Sequence, residues 1–482
     1  MTGRAPERWR GRLGDLAAVL GIGWIGLICL SKFNGGFDAL AYHLPFAALR
    51  TGLLTPAQFV LPPMLADRMA GFPPLADWVQ GGLWRLFGRP EAAALISPIA
   101  ILAFALYARA AFGIGMAWSV LIFLAVPILH TALDGMYVDL WTNAAFAIHL
   151  LAAFRAVTAR GRMAGDAAVS MLALAVAVWS KPQFAVVGGL SLALFAVLLL
   201  WRRPPAWRAL AVCVVLAPLA FFWPLRNVAL FGNPFYPMTI TVGPIALPGT
   251  QANEWEGPAA PRAVPEAVRT LLSLLDLDAV NQRPHGYVLD QGHQPSGTPG
   301  FRMGGSLSVL LLASLALLAI GLSRAPPGRD AKRAGAALLV LAAVVVNLPG
   351  AHELRYFSFL EILAIFAAVA MLHSGAAADP YVGGLAAALR ALLVSAAIYT
   401  AFITGFVHLT ARHQPLLADM ARAEAAWNRL AERLAGTDTL CDVRGDFRGL
   451  LSTRLLLPEG AARVTEAYAP ADCPPGAAVL GP

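Results

Sequence analysis

Charge is what this sequence has least of. Only 13% of its 482 residues are Asp, Glu, Lys or Arg, about half the share in an ordinary soluble domain. With so few charges the chain cannot coat a globule of this length with a solvated surface, and a single water-soluble domain is excluded. Cysteine is nearly as scarce: there are four, too few for a disulfide scaffold and not spaced as Cys/His zinc ligands. A Gly-rich phosphate loop is missing, so nothing points to a soluble nucleotide. There is also no internal repeat and no low-complexity tract.

What the chain has in abundance is apolar length: 58% hydrophobic residues and a mean hydropathy of +0.65. Runs such as Trp141 to Phe154 and Ala334 to Leu348 carry no acidic or basic charge and no polar stripe at helical spacing. They read as membrane spans, and about eleven are expected, near 16–30, 92–111, 116–131, 140–154, 167–180, 183–200, 209–225, 305–322, 334–349, 357–373 and 391–409. The first follows Arg4, Arg8, Arg10 and Arg12 but is not followed by a small-residue cleavage site, so it reads as an uncleaved anchor.

The distribution of Lys and Arg sets an orientation. With the N-terminus cytoplasmic, the inner loops hold 16 basic and 5 acidic residues (+11), the outer segments 20 basic and 23 acidic (−3), recovering the overall +8. The basic balance thus reports topology, and no nucleic-acid partner is expected. Three polar segments fall outside: 31–91, 226–303 and the tail 410–482. Leu75, Trp78, Val79, Leu83, Leu86 and Phe87 predict a helix along the membrane surface. The tail reads as an amphipathic helix followed by a small α/β unit with strands near Thr439–Val443 and Ala477–Leu480. Cys441 and Cys473 share this external compartment, where a disulfide is permitted.

Span interiors carry few ionisable residues, which weighs against a transporter with a midplane site. The unusual polar residues gather at the outer ends of spans instead. These are Asp38, Tyr42 and His43; His130, Asp134 and Asp139; Lys181; Arg226 and Asn227; and His352, Glu353, Arg355 and Tyr356. Carboxylates beside cations at a lipid interface suit a phosphate-bearing lipid substrate: the cations neutralise the departing phosphate, and a carboxylate takes a proton from an incoming hydroxyl. Structural uses compete with each assignment. Asp38 and Asp139 can cap helices, Lys181 can snorkel, Arg355 can pair with Glu353, and His43 and His130 can be core residues.

Phe37-Asp38-Ala39-Leu40-Ala41-Tyr42-His43-Leu44-Pro45, directly after the first span, resembles the opening motif of the GT-C integral membrane glycosyltransferases. Within that superfamily the likeness is to the bacterial branch related to protein O-mannosyltransferases and to lipid A and lipopolysaccharide sugar transferases. Tyr137-Val138-Asp139-Leu140, Ser180-Lys181-Pro182, Arg226-Asn227 with Gly232-Asn233-Pro234-Phe235-Tyr236-Pro237, and Arg355-Tyr356 are similar to later motifs of the same group, in order. The resemblance covers 1–409 and leaves 410–482 unplaced. It departs from the family at Ala39, where several relatives have a second acidic residue, and at Gln183.

The resemblance implies an all-α GT-C bundle at 1–409 with a small external C-terminal domain at 410–482. It implies an inverting transfer of sugar from a polyprenyl-phosphate donor to an envelope acceptor (glycan, lipid or protein), on the outer face of a bacterial inner membrane. Asp38 is then the base; Lys181, Arg226 and Arg355 hold the donor phosphate; Asp139, Tyr42 and His43 orient the substrates. An optional divalent cation, Mg or Mn, would sit at Asp139 and Glu353. Other readings are a flippase of a lipid-linked saccharide, or a polysaccharide polymerase or ligase using Arg262, Arg269, Arg283 and Arg302 of the second outer loop.

Overall fold

The fold was obtained as a computed structural model. It describes residues 5–31, 38–56, 61, 63–133, 135–158, 162–202, 206–242, 245–251, 265–274, 306–324, 328–373, 380–403, 439–442, 463–466, 473, 475 and 478–480. Each of the eleven apolar segments falls on helix over most of its described length, residues 404–409 of the last lying outside the described residues. The helices are α1 (Ala5–Ser31), α5 (Ile96–Phe112), α6 (Met116–Ala125), α8 (Asp139–Thr158), α9 (Met163–Val178), α10 (Phe184–Trp201), α11 (Trp207–Ala220), α14 (Ser306–Arg324), α15 (Arg329–Val345), α16 (Phe359–Leu372) and α17 (Pro380–Ile403). Among the described residues five helices are long and apolar enough to cross a bilayer, six if one bent pair counts as a span, and shorter apolar helices accompany them.

Two expected spans are broken, and proline accounts for both. A proline ring inside a helix clashes with the carbonyl four residues earlier. Pro127 would meet Phe123 in this way, and the chain leaves the helix at Val126 (φ −97°, ψ 112°) before resuming in α7 (Pro127–Thr131). Pro224 would meet Ala220, where α11 stops; α12 (Phe222–Phe231) continues at 47° to it. Gly232 ends α12 at φ 70°, a left-handed position that glycine occupies without a Cβ penalty.

Short helices occupy the segment between α1 and α5: a π-helical turn (Ala39–His43), α2 (Leu44–Arg50), α3 (Pro63–Gly71) and α4 (Leu75–Phe87). The predicted surface helix is therefore present as α4, and its burial runs opposite to that of a soluble helix. Trp78, Leu86 and Phe87 are exposed, while Ala76, Asp77, Gln80 and Gly81 face the protein. That is how a helix lies when lipid, not water, bathes its outer side. Between α12 and α14, β1 (Ile240–Val242) pairs antiparallel with β2 (Ile245–Leu247), and α13 (Glu266–Leu274) follows. In the tail, β3 (Thr439–Asp442) lies between β4 (Arg463–Glu466) and β5 (Ala478–Leu480), parallel to both. The amphipathic helix expected after residue 410 lies outside the described residues, as does Asp134.

Candidate active site

Four of the five polar junctions meet in one place. Asp38 sits at the start of the π-helical turn, and Arg355 lies in a 3-10 turn (Leu354–Tyr356) between α15 and α16. Although 317 positions apart in sequence, they form an ion pair, Arg355 Nη1 donating to Asp38 Oδ2 at 2.9 Å. Arg355 Nε also reaches Glu353 Oε2 at 3.2 Å, and its Nη2 donates to the Tyr356 hydroxyl at 3.1 Å. Asp139 opens α8, where a carboxylate is favoured by the helix dipole; Lys181 occupies the turn between α9 and α10. Lys181 Nζ donates to Asp139 Oδ1 at 2.5 Å.

The Tyr356 ring joins the two pairs. Lys181 Nζ is 4.7 Å and the Arg355 guanidinium carbon 4.8 Å from its centroid, both within cation–π range. Tyr137 lies a further 5.5 Å from the same guanidinium. One turn along α8 from Asp139, Asn143 Nδ2 donates to the Arg355 carbonyl at 2.9 Å and its Oδ1 accepts from Phe359 N at 3.0 Å. Asn143 therefore staples the arginine turn to the helix that carries Asp139. From the other side, Glu266 of α13 accepts from the His352 backbone at 3.0 Å, contacts its imidazole and pairs with Arg269.

Arg355, Lys181 and Asp139 are buried. Burial alone would raise the Asp38 carboxyl, yet the Arg355 guanidinium, with His43 and Lys181, overrides it and holds the group below the usual carboxylate range. Burial and the negative charge of Asp38 push the Tyr42 phenol well up. Asp139 keeps one oxygen, Oδ2, buried and without a hydrogen-bond partner.

Tyr42 stacks near His43 and Phe46 (centroids 4.4 and 5.9 Å). His43 Nδ1 lies 3.4 Å from Asp77 Oδ1, while Arg50 Nε approaches the other oxygen of Asp77 at 3.3 Å. The fifth junction stands apart. Arg226 Nη1 donates to the Ala70 carbonyl and to Asn227 Oδ1, both at 2.8 Å, and its guanidinium covers Trp223 at 4.5 Å. Its contacts are with α3 and its own helix, not with Lys181 or Arg355. Residues that the sequence did not single out are Asn143, Asp77, Arg50 and Gln80, whose amide donates to the Met136 carbonyl at 2.7 Å ahead of Asp139. Asn143 had a visible signal, a polar residue one turn inside an apolar run.

Asp139 and Glu353 face different basic side chains, and among the described residues no three His, Cys, Asp or Glu side chains are gathered as ligands. Cys473 is disulfide-bonded, whereas Cys29 and Cys213 are buried and reduced, the Cys29 thiol donating to the Leu133 carbonyl at 3.4 Å. The side chain of Cys441, on β3, lies outside the described residues.

No protein-family model matches the chain, and no curated protein sequence matches it. Among solved structures it is similar to ArnT from Cupriavidus metallidurans bound to undecaprenyl phosphate. That likeness has a TM-score of 0.52 and 16% identity, over 94% of this chain and 85% of that one. ArnT in the apo state gives 0.41 at the same identity and coverage. The site thus sits in a membrane protein with the GT-C-type helical fold that it shares with ArnT.

Proposed function

We propose that the chain is a glycosyltransferase that takes a sugar from a polyprenyl-phosphate donor and passes it to an envelope acceptor at the external face of the inner membrane. The observation carrying this reading is the double ion pair around Tyr356: two carboxylates and two cations, one from each of four junctions distant in sequence, held at helix ends and in the turns beside them. The fold shared with an ArnT that was solved with undecaprenyl phosphate supports it. Lys181 and Arg355 are the phosphate ligands, and Arg226 holds the loop between α1 and α5 through the Ala70 carbonyl.

The arrangement suggests how donor binding and base activation are coupled. While paired with Arg355, Asp38 is a poor proton acceptor. A donor phosphate competes for the same guanidinium; as Arg355 turns to it, Asp38 is freed and its basicity rises. The acceptor oxygen then attacks the anomeric carbon and its proton passes to Asp38. The bond from that carbon to the phosphate oxygen breaks, and polyprenyl phosphate leaves with the electron pair, neutralised by Lys181 and Arg355. Attack opposite the leaving group inverts the anomeric centre. Asp139, with its free Oδ2, and the Tyr42–His43 pair orient donor and acceptor.

The test is a reconstituted assay with a labelled polyprenyl-phosphate sugar and an envelope extract as acceptor. Transfer with inversion, lost in Asp38→Asn while donor binding persists, supports the reading. Donor carried across the vesicle membrane without transfer would replace it with the flippase alternative.

A further inference from the structure

His149 and His43 are both buried, and their ring nitrogens are met differently. His149, inside α8, has both in use: Nδ1 lies 2.8 Å from the Ser170 hydroxyl and Nε2 2.9 Å from that of Ser191. That is how a histidine serving only the packing sits, because a buried polar atom left unmet is costly. His43 uses one nitrogen. Its Nδ1 lies 3.4 Å from Asp77 Oδ1, while Nε2 is buried with no hydrogen-bond partner among the described residues. Asp77 is held from its other side by Arg50, whose guanidinium also donates to the carbonyls of Met69 at 2.7 Å and Phe72 at 3.1 Å. A carboxylate only accepts hydrogen bonds, so this contact puts the hydrogen of the neutral imidazole on Nδ1 and leaves Nε2 a bare acceptor.

The turn that carries His43 also places it beside Asp38. Leu44 N donates to the Ala39 carbonyl five residues back, which makes the turn π-helical. In an α-helix, five steps of about 100° would leave Asp38 and His43 roughly 140° apart. The wider turn brings residues five apart one above the other, a distortion frequent at functional sites. The electrostatic influence of the imidazole accordingly reaches the Asp38 carboxyl, acting after Arg355 against the effect of burial. Next to it lies the Tyr42 ring, 4.4 Å from the imidazole and edge-on to Phe72 at 6.0 Å. An apolar face thus adjoins a bare acceptor, the combination that holds a sugar ring. In an inverting transfer the base and the leaving phosphate lie on opposite faces of the reacting carbon, so a group beside the base meets first the substituent on the neighbouring ring carbon. We infer that His43 Nε2 accepts a hydrogen bond from a free 2-hydroxyl on the sugar of the donor lipid, with Asp77 as the positioning residue that orients the imidazole. This assignment rests on the donor reading of the site and narrows the donor to 2-hydroxy sugars.

The experiment uses the full-length protein in nanodiscs and polyprenyl-phosphate donors that differ only at the second sugar carbon: glucosyl, 2-deoxyglucosyl and 2-acetamido-2-deoxyglucosyl. Sugar-free polyprenyl phosphate is the reference ligand. The glucosyl donor should bind about tenfold more tightly than its 2-deoxy counterpart, the effect of a hydrogen bond whose buried partner is otherwise left unmet. His43→Leu should abolish that preference, and His43→Gln, whose amide oxygen can stand where Nε2 stands, should restore part of it. Asp77→Asn no longer dictates which ring nitrogen carries the hydrogen, so it should narrow the preference. The reference ligand, held by Lys181 and Arg355, should bind the variants as it binds the wild type, which separates lost recognition from lost folding. Should Asp77→Asn fail to hold it, the two His43 variants decide alone. Equal binding of the glucosyl and 2-deoxy donors to the wild-type protein overturns the inference. So does a preference that survives His43→Leu, or a 2-acetamido donor bound more tightly than the glucosyl one. Binding is read without an acceptor, so a 2-hydroxyl preference in a protein that transfers none of these sugars would defeat the transferase reading alone.

Discussion

Asp38 is where the proposed chemistry is most exposed to test. Asp38→Asn preserves size and one hydrogen-bond acceptor for Arg355 but removes the base, so transfer should fall by about 10²–10⁴-fold with donor binding retained. Near-normal turnover would move the base elsewhere, first to Asp139. The pH dependence is a second check, with its sign fixed by the ion pair. The carboxyl is held below the 3.8 of an ordinary aspartate. Its pairing therefore contributes stability above that pH, a contribution lost only as the pH falls through the depressed value. In the free enzyme, which kcat/KM reports, no loss from Asp38 should appear above about pH 4. An acid limb near pH 6–7 that persists in Asp38→Asn would show a different group to be titrating.

Lys181 and Asp139 require a different design. Truncating either leaves the other buried and unpaired, which costs about 3–5 kcal/mol, so loss of activity in Lys181→Ala alone is ambiguous. The double change Lys181→Met with Asp139→Leu removes both charges. Thermal unfolding in nanodiscs should return close to wild type, while binding of labelled donor should stay weak. Recovery of transfer in the double variant would make the pair structural only.

Among the elements, helix positions were legible because an apolar run without charge has few alternatives, and both helix breaks were written in prolines. The Arg226-to-Pro237 phrase was legible as a motif, but the contacts it makes were not. In the fold it clasps α3, in the segment between α1 and α5. Gly71 carbonyl accepts from Trp223 Nε1 and Asn227 Nδ2, both at 2.8 Å, and the Tyr236 hydroxyl reaches Asp67 Oδ1 at 3.1 Å. Asn233 Nδ2 donates to the carbonyls of Met238 and Pro248 at 2.7 Å and orders the turn itself. A Cβ on Gly71 would collide with the Tyr236 carbonyl. Gly71→Ala should therefore loosen the clasp, costing about 1–3 kcal/mol. It should show as a lower melting temperature and faster proteolysis between α3 and α4, with donor binding at Lys181 and Arg355 less affected. Unchanged melting would mean that the loop yields to the methyl group.

The sequence could not say which turn meets which. Asp38 and Arg355 are each ordinary at their own junction, and only the folding of the bundle brings them to 2.9 Å. At the scale of the whole molecule, the remaining prediction is orientation. Lys and Arg are retained on the cytoplasmic side during insertion, and the inner loops carry +11 against −3 outside. The same orientation puts Asp38, Asp139, Lys181 and Arg355 on one side, as their contacts require of any topology, and makes that side the outer one. Phosphatase fusions after residue 260 should accordingly be active and those after residue 160 inactive, with the reverse pattern for a cytoplasmic fluorescent reporter. The external tail should hold Cys441 bridged to Cys473, so neither thiol should be alkylated without reductant. An active phosphatase at residue 160 would invert the molecule, place the site in the cytoplasm, and open it to soluble donors that the outer face excludes.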